Sequence, residues 1–257
     1  ETAYSVGGLI LSNSGAITAN YWLSEIYDDE VAKAHRNADI HLHDLSMLTG
    51  YCAGWSLKQL IQEGLGGVPG KITSKPASHL SSLCNQMVNF LGIMQNEWAG
   101  AQAFSSFDTY LAPFVKADNL TYEETKQCVE SFVFGVNTPS RWGTQAPFSN
   151  ITLDWVCPAD LRDQPAIVGG KEMDFTYGDC KVEMDMVNKA FIEIMIEGDA
   201  NGRGFQYPIP TYSITRDFDW SETENNRLLF EMTSKYGTPY FSNYINSDME
   251  PSDVRSM

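Results

Sequence analysis

Four places along the chain hold residue types whose spacing could do chemistry. The first is His41-x-His43-Asp44. On an extended strand, residues two apart share a face, so both imidazoles point one way beside a carboxylate, a set able to ligate a metal. The same H-x-H spacing serves metal-dependent hydrolases on an early barrel strand. Such a site needs further ligands from later strands, and no histidine follows His79, so all of them would be carboxylates. Two other readings fit the same residues. Asp44 could cap the next turn beside hydrogen-bonded histidines, or the segment could be a polar strand end lining an active site at the carboxyl edge of a parallel sheet.

The second place is Cys52, in Gly50-Tyr51-Cys52-Ala53-Gly54-Trp55. Flanking glycines let backbone approach a ligand closely, and a loop thiol can donate hydrogen. A lone cysteine is otherwise a small buried hydrophobe. Cys84 falls on an apolar helix stripe and belongs to the core, while Cys128, Cys157 and Cys180 have no polar constellation around them. The third place, Gly198-x-x-x-Gly202-x-Gly204, follows a helix and precedes a strand, the reverse of the order a phosphate cradle needs. The fourth is the polar loop Asn137 to Gln145, whose Arg141 suits either a phosphate or a surface turn.

The elements that must position these residues follow from periodicity. Ile17 to Ala38 has helical spacing, and Asp39 to Leu45 alternates with period two, which predicts a short strand. A helix is expected from Ser56 to Glu63, then a glycine-rich loop. Ser78 to Phe114 carries one long apolar stripe, with Asn85, Asn89 and Asn96 on another face, and predicts a single long helix weakened at Gly92 and Gly100. Thr121-x-x-Glu124 and Ser221-x-x-Glu224 are capping boxes, and Gly198 and Gly237 are helix stops. Ser149 to Trp155, Tyr207 to Ile214 and Tyr240 to Ile245 are expected strands, the second demoted towards an edge by Pro208 and Pro210. Strands alternating with long helices imply α/β architecture with a parallel sheet.

Composition narrows the function classes. The 257 residues hold 17 Lys+Arg and 33 Asp+Glu, a net charge of −16, with 43 % hydrophobic residues. That supports a sizeable core and excludes global disorder. The acidic balance argues against a nucleic-acid polymer as partner, although helix N-termini and backbone N–H groups can still hold one triphosphate. No apolar run approaches the ~18–20 residues of a membrane span, and there is no signal-peptide pattern. Five widely spaced cysteines without a Cys-x-x-Cys pair argue against a disulfide framework or a thiolate zinc site and suit a reducing cytoplasm. Both ends look cut, so the chain is expected to be a piece of a longer protein.

Taken together, several blocks resemble the anaerobic, glycyl-radical ribonucleoside-triphosphate reductases. They are His41-Leu42-His43-Asp44-Leu45, Gly50 to Gly54, Gln95 to Asp108, Asn137 to Arg141, Pro147 to Thr152, Gly204 to Thr211, Tyr240 to Asp248 and Arg255-Ser256-Met257. The resemblance implies the first half of a ten-stranded α/β barrel, with residues 1–257 a partial catalytic domain truncated at the start of a finger loop. It implies reduction of ribonucleoside triphosphates to 2′-deoxyribonucleoside triphosphates. A glycyl radical outside this segment would pass to a finger cysteine, and formate would be the reductant. It also implies a zinc site in a C-terminal region, deoxynucleotide and ATP effectors, a radical S-adenosylmethionine activating enzyme and a homodimer. Cys52 matches the family's substrate-facing cysteine. His43, Asp44, Ser149, Asn150 and Met257 are expected at one substrate cavity at the carboxyl ends of the strands. The long helix is expected at a dimer interface, with Lys75, His79 and Gln86 as effector contacts. No metal is expected at His41 and His43. The family's thiyl cysteine follows Arg-Ser-Met, so this segment alone is expected to be inactive. The other function classes are a glycyl-radical enzyme of the pyruvate formate-lyase type, told apart by the sequence beyond Met257, an H-x-H hydrolase, told apart by metal analysis, and a non-catalytic binding domain.

Overall fold

A computed structural model describes residues 5–66, 69–139 and 145–255. Arg141 and Met257 lie outside the described residues. The chain begins with α1 (Val6–Tyr21), capped by Ser5, whose Oγ accepts from the Gly8 N–H at 3.0 Å. A π turn (Trp22–Ile26) follows, then a break at Tyr27, whose backbone is extended, and α2 (Asp29–Arg36). The single helix expected over 17–38 is therefore two.

The strand expected at 39–45 does not form. The Asp39 and Ile40 N–H groups fold back onto the Ala34 carbonyl, and the Leu42 N–H donates to His35 Nδ1 at 3.2 Å. Ala38 and Asp44 take positive φ, 63° and 53°. The donors a strand would offer a neighbour are spent closing the end of α2.

The rest is a parallel sheet with its helices. In order come β1 (Ala53–Trp55), α3 (Leu57–Glu63), α4 (Leu80–Met94), β2 (Gln102–Phe104), α5 (Phe107–Ala117), α6 (Tyr122–Asn137), β3 (Ser149–Leu153), α7 (Ala159–Arg162), β4 (Pro165–Val168), β5 (Lys171–Thr176), α8 (Lys181–Glu197), β6 (Ile209–Ile214), α9 (Glu224–Tyr236), β7 (Tyr240–Asn243) and α10 (Pro251–Arg255). Strands β1-β2-β3-β6-β7 are hydrogen-bonded in that order, every pair parallel. Strands β4 and β5 form a separate antiparallel hairpin, turned by Gly169 and Gly170 at φ 63° and 72°.

The predicted helix over 78–114 is interrupted by β2. Its apolar spacing is shared by a three-residue strand: α4 ends at Met94, and Gly100, beyond that end, packs closely against Tyr51. The stripe Leu80, Leu83, Cys84, Met87 and Leu91 is buried in the chain's own core. At a dimer interface α4 could therefore present only its outer face, Asn85, Asn89 and the exposed Ile93. Thr121 caps α6 with the expected box. The cap of α9 is Thr223, not Ser221: Thr223 Oγ1 accepts from the Asn226 N–H at 3.1 Å, while the Ser221 N–H donates to Asp219.

One face of the sheet is packed and the other is open. Ser149, Ile151 and Leu153 on β3 are buried, and Asn150 and Thr152 between them are only partly so. Phe104, Phe107, Phe132, Phe191 and Tyr212 fill the packed side. No helix among the described residues is long and apolar enough to cross a membrane.

Candidate functional site

The registers place side chains in rows across the sheet. Gly54, Ala103 and Asn150 are paired neighbours, as are Thr152, Thr211 and Tyr240. Paired residues of parallel strands share a face, so the open face carries Asn150, Thr152 and Thr211, and Asn150 Nδ2 donates to Thr211 Oγ1 at 3.5 Å. Cys52, two residues before Gly54, continues this face at the amino edge, and it is exposed. Cys52 and Asn150 thus belong to the same edge, two strand spacings across and two residues along, about 12 Å apart.

Backbone, not side chains, fixes Cys52. The Ala99 N–H donates to the Gly50 carbonyl at 3.0 Å, Gly100 N–H to Tyr51, and Ala53 N–H to Ala101 at 3.0 Å. A Cβ on Gly100 would lie 2.5 Å from the Tyr51 oxygen and 2.9 Å from Cys52 Sγ, and one on Gly50 would lie 2.1 Å from the Trp98 ring. Both positions require glycine because the segments leading into β1 and β2 approach so closely. Trp98 meets Trp55 edge-on at 5.7 Å, and Trp55 Nε1–H donates to Gln102 Oε1 at 2.9 Å.

The remaining expected site residues are dispersed. Ser149 is fully buried on the packed face, its Oγ without a hydrogen-bond partner among the described residues, and so turns away from Cys52. The alternation of β3 is the reason: Ser149 and Asn150 cannot both face one cavity. His43 and Asp44 end no strand. They lie in the segment after α2, with His43 edge-on to His41 at 4.7 Å. Among the described residues no group of three or more His, Cys, Asp or Glu side chains is arranged to hold a metal ion. Lys75 and His79 are exposed before α4, with His79 Nδ1 2.7 Å from Asp118. Gln86 is buried, and its Nε2 donates to Ser74 Oγ and the Lys75 carbonyl at 3.0 and 2.9 Å. Its Nε2 is thus spent on the loop, while its buried Oε1 has no hydrogen-bond partner among the described residues.

The carboxyl edge holds a second cluster. Asp108, fully buried at the start of α5, accepts from the Thr109, Asp154 and Trp155 N–H groups and from Asn188 Nδ2, at 2.8–3.0 Å. Burial raises its carboxyl above the ordinary range, opposed by those four donors. Four donors and no acceptor suit a carboxylate, so Asp108 holds the negative charge. Asp154, just past β3, takes a 2.6 Å hydrogen bond from Thr109 Oγ1–H, and burial and the Asp108 charge push it up to about 7. Ser106 and Trp155, which follow β2 and β3 at this edge, have φ of 55° and 66°, a costly backbone for residues other than glycine. The sequence signal for this cluster was an acid inside an apolar run, Phe107-Asp108-Thr109-Tyr110-Leu111 and Leu153-Asp154-Trp155-Val156.

A family model described as anaerobic ribonucleoside-triphosphate reductase matches residues 1–257. Among solved structures, the chain is similar to the anaerobic ribonucleotide reductase of Thermotoga maritima in complex with dATP and CTP. The TM-score is 0.72 at 20 % identity, over 95 % of this chain and 43 % of that one. The same reductase with glycerol in its active site gives 0.73 at 20 % identity, over 95 % and 43 %. A further anaerobic ribonucleotide reductase gives 0.73 at 21 % identity, over 95 % and 41 %. The chain thus spans less than half the length of these proteins, and the likeness shows a shared α/β barrel fold, of which the five parallel strands are a part. No curated protein matches it.

Proposed function

The chain belongs to the anaerobic ribonucleoside-triphosphate reductase family, and on that premise we propose that it is the first half-barrel of a catalytic subunit that reduces ribonucleoside triphosphates. Residues 1–257 are part of one catalytic barrel domain that continues into a finger loop. The net reaction replaces the 2′ C–OH bond by C–H: ribonucleotide, formate and a proton give deoxyribonucleotide, carbon dioxide and water. A glycyl radical outside this segment, generated by a radical S-adenosylmethionine activating enzyme, would pass to a finger cysteine, whose thiyl radical would take the 3′ hydrogen as S–H. A zinc site belongs to the C-terminal region.

The observation that carries this reading is the exposed Cys52 thiol on the open, polar face of the sheet. An S–H there fits a group that delivers hydrogen to the face from which the 2′ hydroxyl leaves. Asn150, on the same face, offers donors and an acceptor to the ribose, and the small neighbours Gly54 and Ala103 leave room for it. His43 and Asp44 approach the substrate from the segment before β1. The exposed Lys75 and His79 are the candidate contacts for deoxynucleotide and ATP effectors at a homodimer interface. The enzyme works in the cytoplasm.

The test is an anaerobic assay of the full-length polypeptide with its activating enzyme and labelled formate. Equal yields of deoxyribonucleoside triphosphate and carbon dioxide are expected. Neither product, in a sample whose glycyl radical is visible by electron paramagnetic resonance, overturns the reading.

A further inference from the structure

After β7 the chain turns back across the carboxyl edge of the sheet. The Tyr244 N–H donates to the Ile214 carbonyl at 2.9 Å, and Arg216 Nη2 donates to the Ile245 carbonyl at 3.3 Å. The segment then crosses a cavity of about 380 Å³ whose walls include Asp154, Ser213, Arg216, Tyr244 and Glu250. It closes in α10, where the Asp253 carboxylate accepts from the Glu250 N–H at 2.8 Å. The strap thus runs from β7 back to the residues that follow β2 and β3.

Its far end is held by one side chain. The Arg255 guanidinium is 8 % exposed, with Nη1 3.9 Å from Asp154 Oδ1 and 3.4 Å from Ser106 Oγ. Nη2 donates to Asp160 Oδ2 in a close contact. A buried guanidinium is tolerated when carboxylates and hydrogen bonds surround it, and breaking such a set by removing one partner is expensive. The two acids come from different places, Asp154 from the end of β3 and Asp160 from α7, so one cation ties three parts of the carboxyl edge together.

We infer that Arg255 is a positioning residue, clamping the strap 244–255 to Asp154 and Asp160 and so fixing the far end of the strap at the carboxyl edge. The inference rests on the proposed reductase reading for its effect on turnover, because only then does the chain beyond Arg255 have to reach the substrate. The clamp itself is independent of that reading. Its strength varies with pH through Asp154, which attracts the guanidinium fully only when ionised. The groups facing the pair are Asp108 and Tyr110 from α5, Cys157 and Asp160 before and on α7, Arg162, and Tyr244 of the strap. Of these, Asp108 keeps Asp154 protonated to higher pH and Arg255 opposes it. The clamp therefore tightens as pH rises through neutrality.

The experiment is amide hydrogen exchange over residues 247–255 in the full-length polypeptide, corrected for intrinsic rates, beside anaerobic turnover. Arg255→Gln is expected to raise strap exchange about tenfold or more, with Arg255→Lys intermediate, as expected for a lost charge-assisted anchor. Turnover falls through kcat with KM within about twofold, as for an interaction that orders the reacting complex without binding substrate. Asp154→Asn removes the pH dependence of strap exchange. Strap exchange unchanged in a folded Arg255→Gln protein overturns the clamp. Raised exchange with unchanged turnover in an active enzyme overturns the positioning role, whereas an inactive wild type fails the reductase reading and leaves the clamp to be judged on exchange. If Arg255→Gln does not fold, Asp160→Asn at its half-exposed position carries the test: strap exchange rises about threefold, or the clamp is refuted.

Discussion

The two edges of the parallel sheet are built by opposite means. At the amino edge, Cys52 is held by backbone hydrogen bonds and by glycines that admit no Cβ, with no charged group in the contacts that fix it. At the carboxyl edge, position is set by buried charge: Asp108 under four donors, Asp154 beside it, and Arg255 across them. Parallel sheets ordinarily take ligands at the carboxyl edge. Here that edge is occupied by a strap and its ion pairs, and the exposed thiol sits at the other. The close-packed edge leaves a thiol exposed. A charged edge holds a chain segment in place. The comparison predicts that damage to the two edges will look different.

Asp108→Ala should do the most harm. It strands three backbone N–H groups and Asn188 in the core, and is expected to cost about 3–5 kcal/mol of stability, read by urea denaturation. A loss below about 1 kcal/mol would remove buried charge as the organiser of the carboxyl edge. Gly100→Ala comes next. Its Cβ would press on the Tyr51 oxygen and Cys52 Sγ, and a cost of about 1–3 kcal/mol is expected. The same variant should change the rate at which iodoacetamide labels Cys52. In the unaltered protein Cys52 should label first, because burial pushes the Cys157 and Cys180 thiols up to about 12 and raises Cys84 further. Faster labelling of any of these three would contradict the placement of the open thiol.

The smallest effect expected is on pH dependence. Asp154 binds its proton more tightly folded than unfolded, because its ordinary value is 3.8 and its folded value about 7. The stability this contributes is complete below about 3.8 and is lost as pH rises towards 7. Unfolding midpoints should therefore fall between pH 5 and 7, a window above the titration of the lowered acids Asp179, Asp199, Asp219 and Glu193. Asp154→Asn should flatten that fall, and an unchanged slope would assign it elsewhere.

Much of the packed architecture was legible in the sequence, where one residue type has one use. The Thr121 capping box, the Gly198 and Gly237 stops, Ser149 to Leu153 and the apolar stripe of α4 all lie where spacing put them. Strand β2 was hidden because Gln102-Ala103-Phe104 is too short for a period of two to stand out from a helical stripe. His41 and His43 alternate like a strand, but the donors between them are captured by the end of α2, a tertiary outcome that local pattern does not carry. Cys52 stands out by its glycines, but with no strand before it the thiol lies at the amino edge and not at the carboxyl edge. The Asp108–Asp154–Arg255 cluster joins residues far apart in sequence, so no local motif announced it beyond acids set among large apolar neighbours.

The most direct test of the two-edge account is Cys52→Ala in the full-length polypeptide, assayed anaerobically with its activating enzyme, beside glycyl-radical yield and unfolding midpoint. Deoxyribonucleotide formation is expected to be abolished while the radical yield and the midpoint stay at the unaltered level, since the Cys52 thiol is exposed and backbone hydrogen bonds hold the chain there. Near-normal deoxyribonucleotide formation by Cys52→Ala would contradict it.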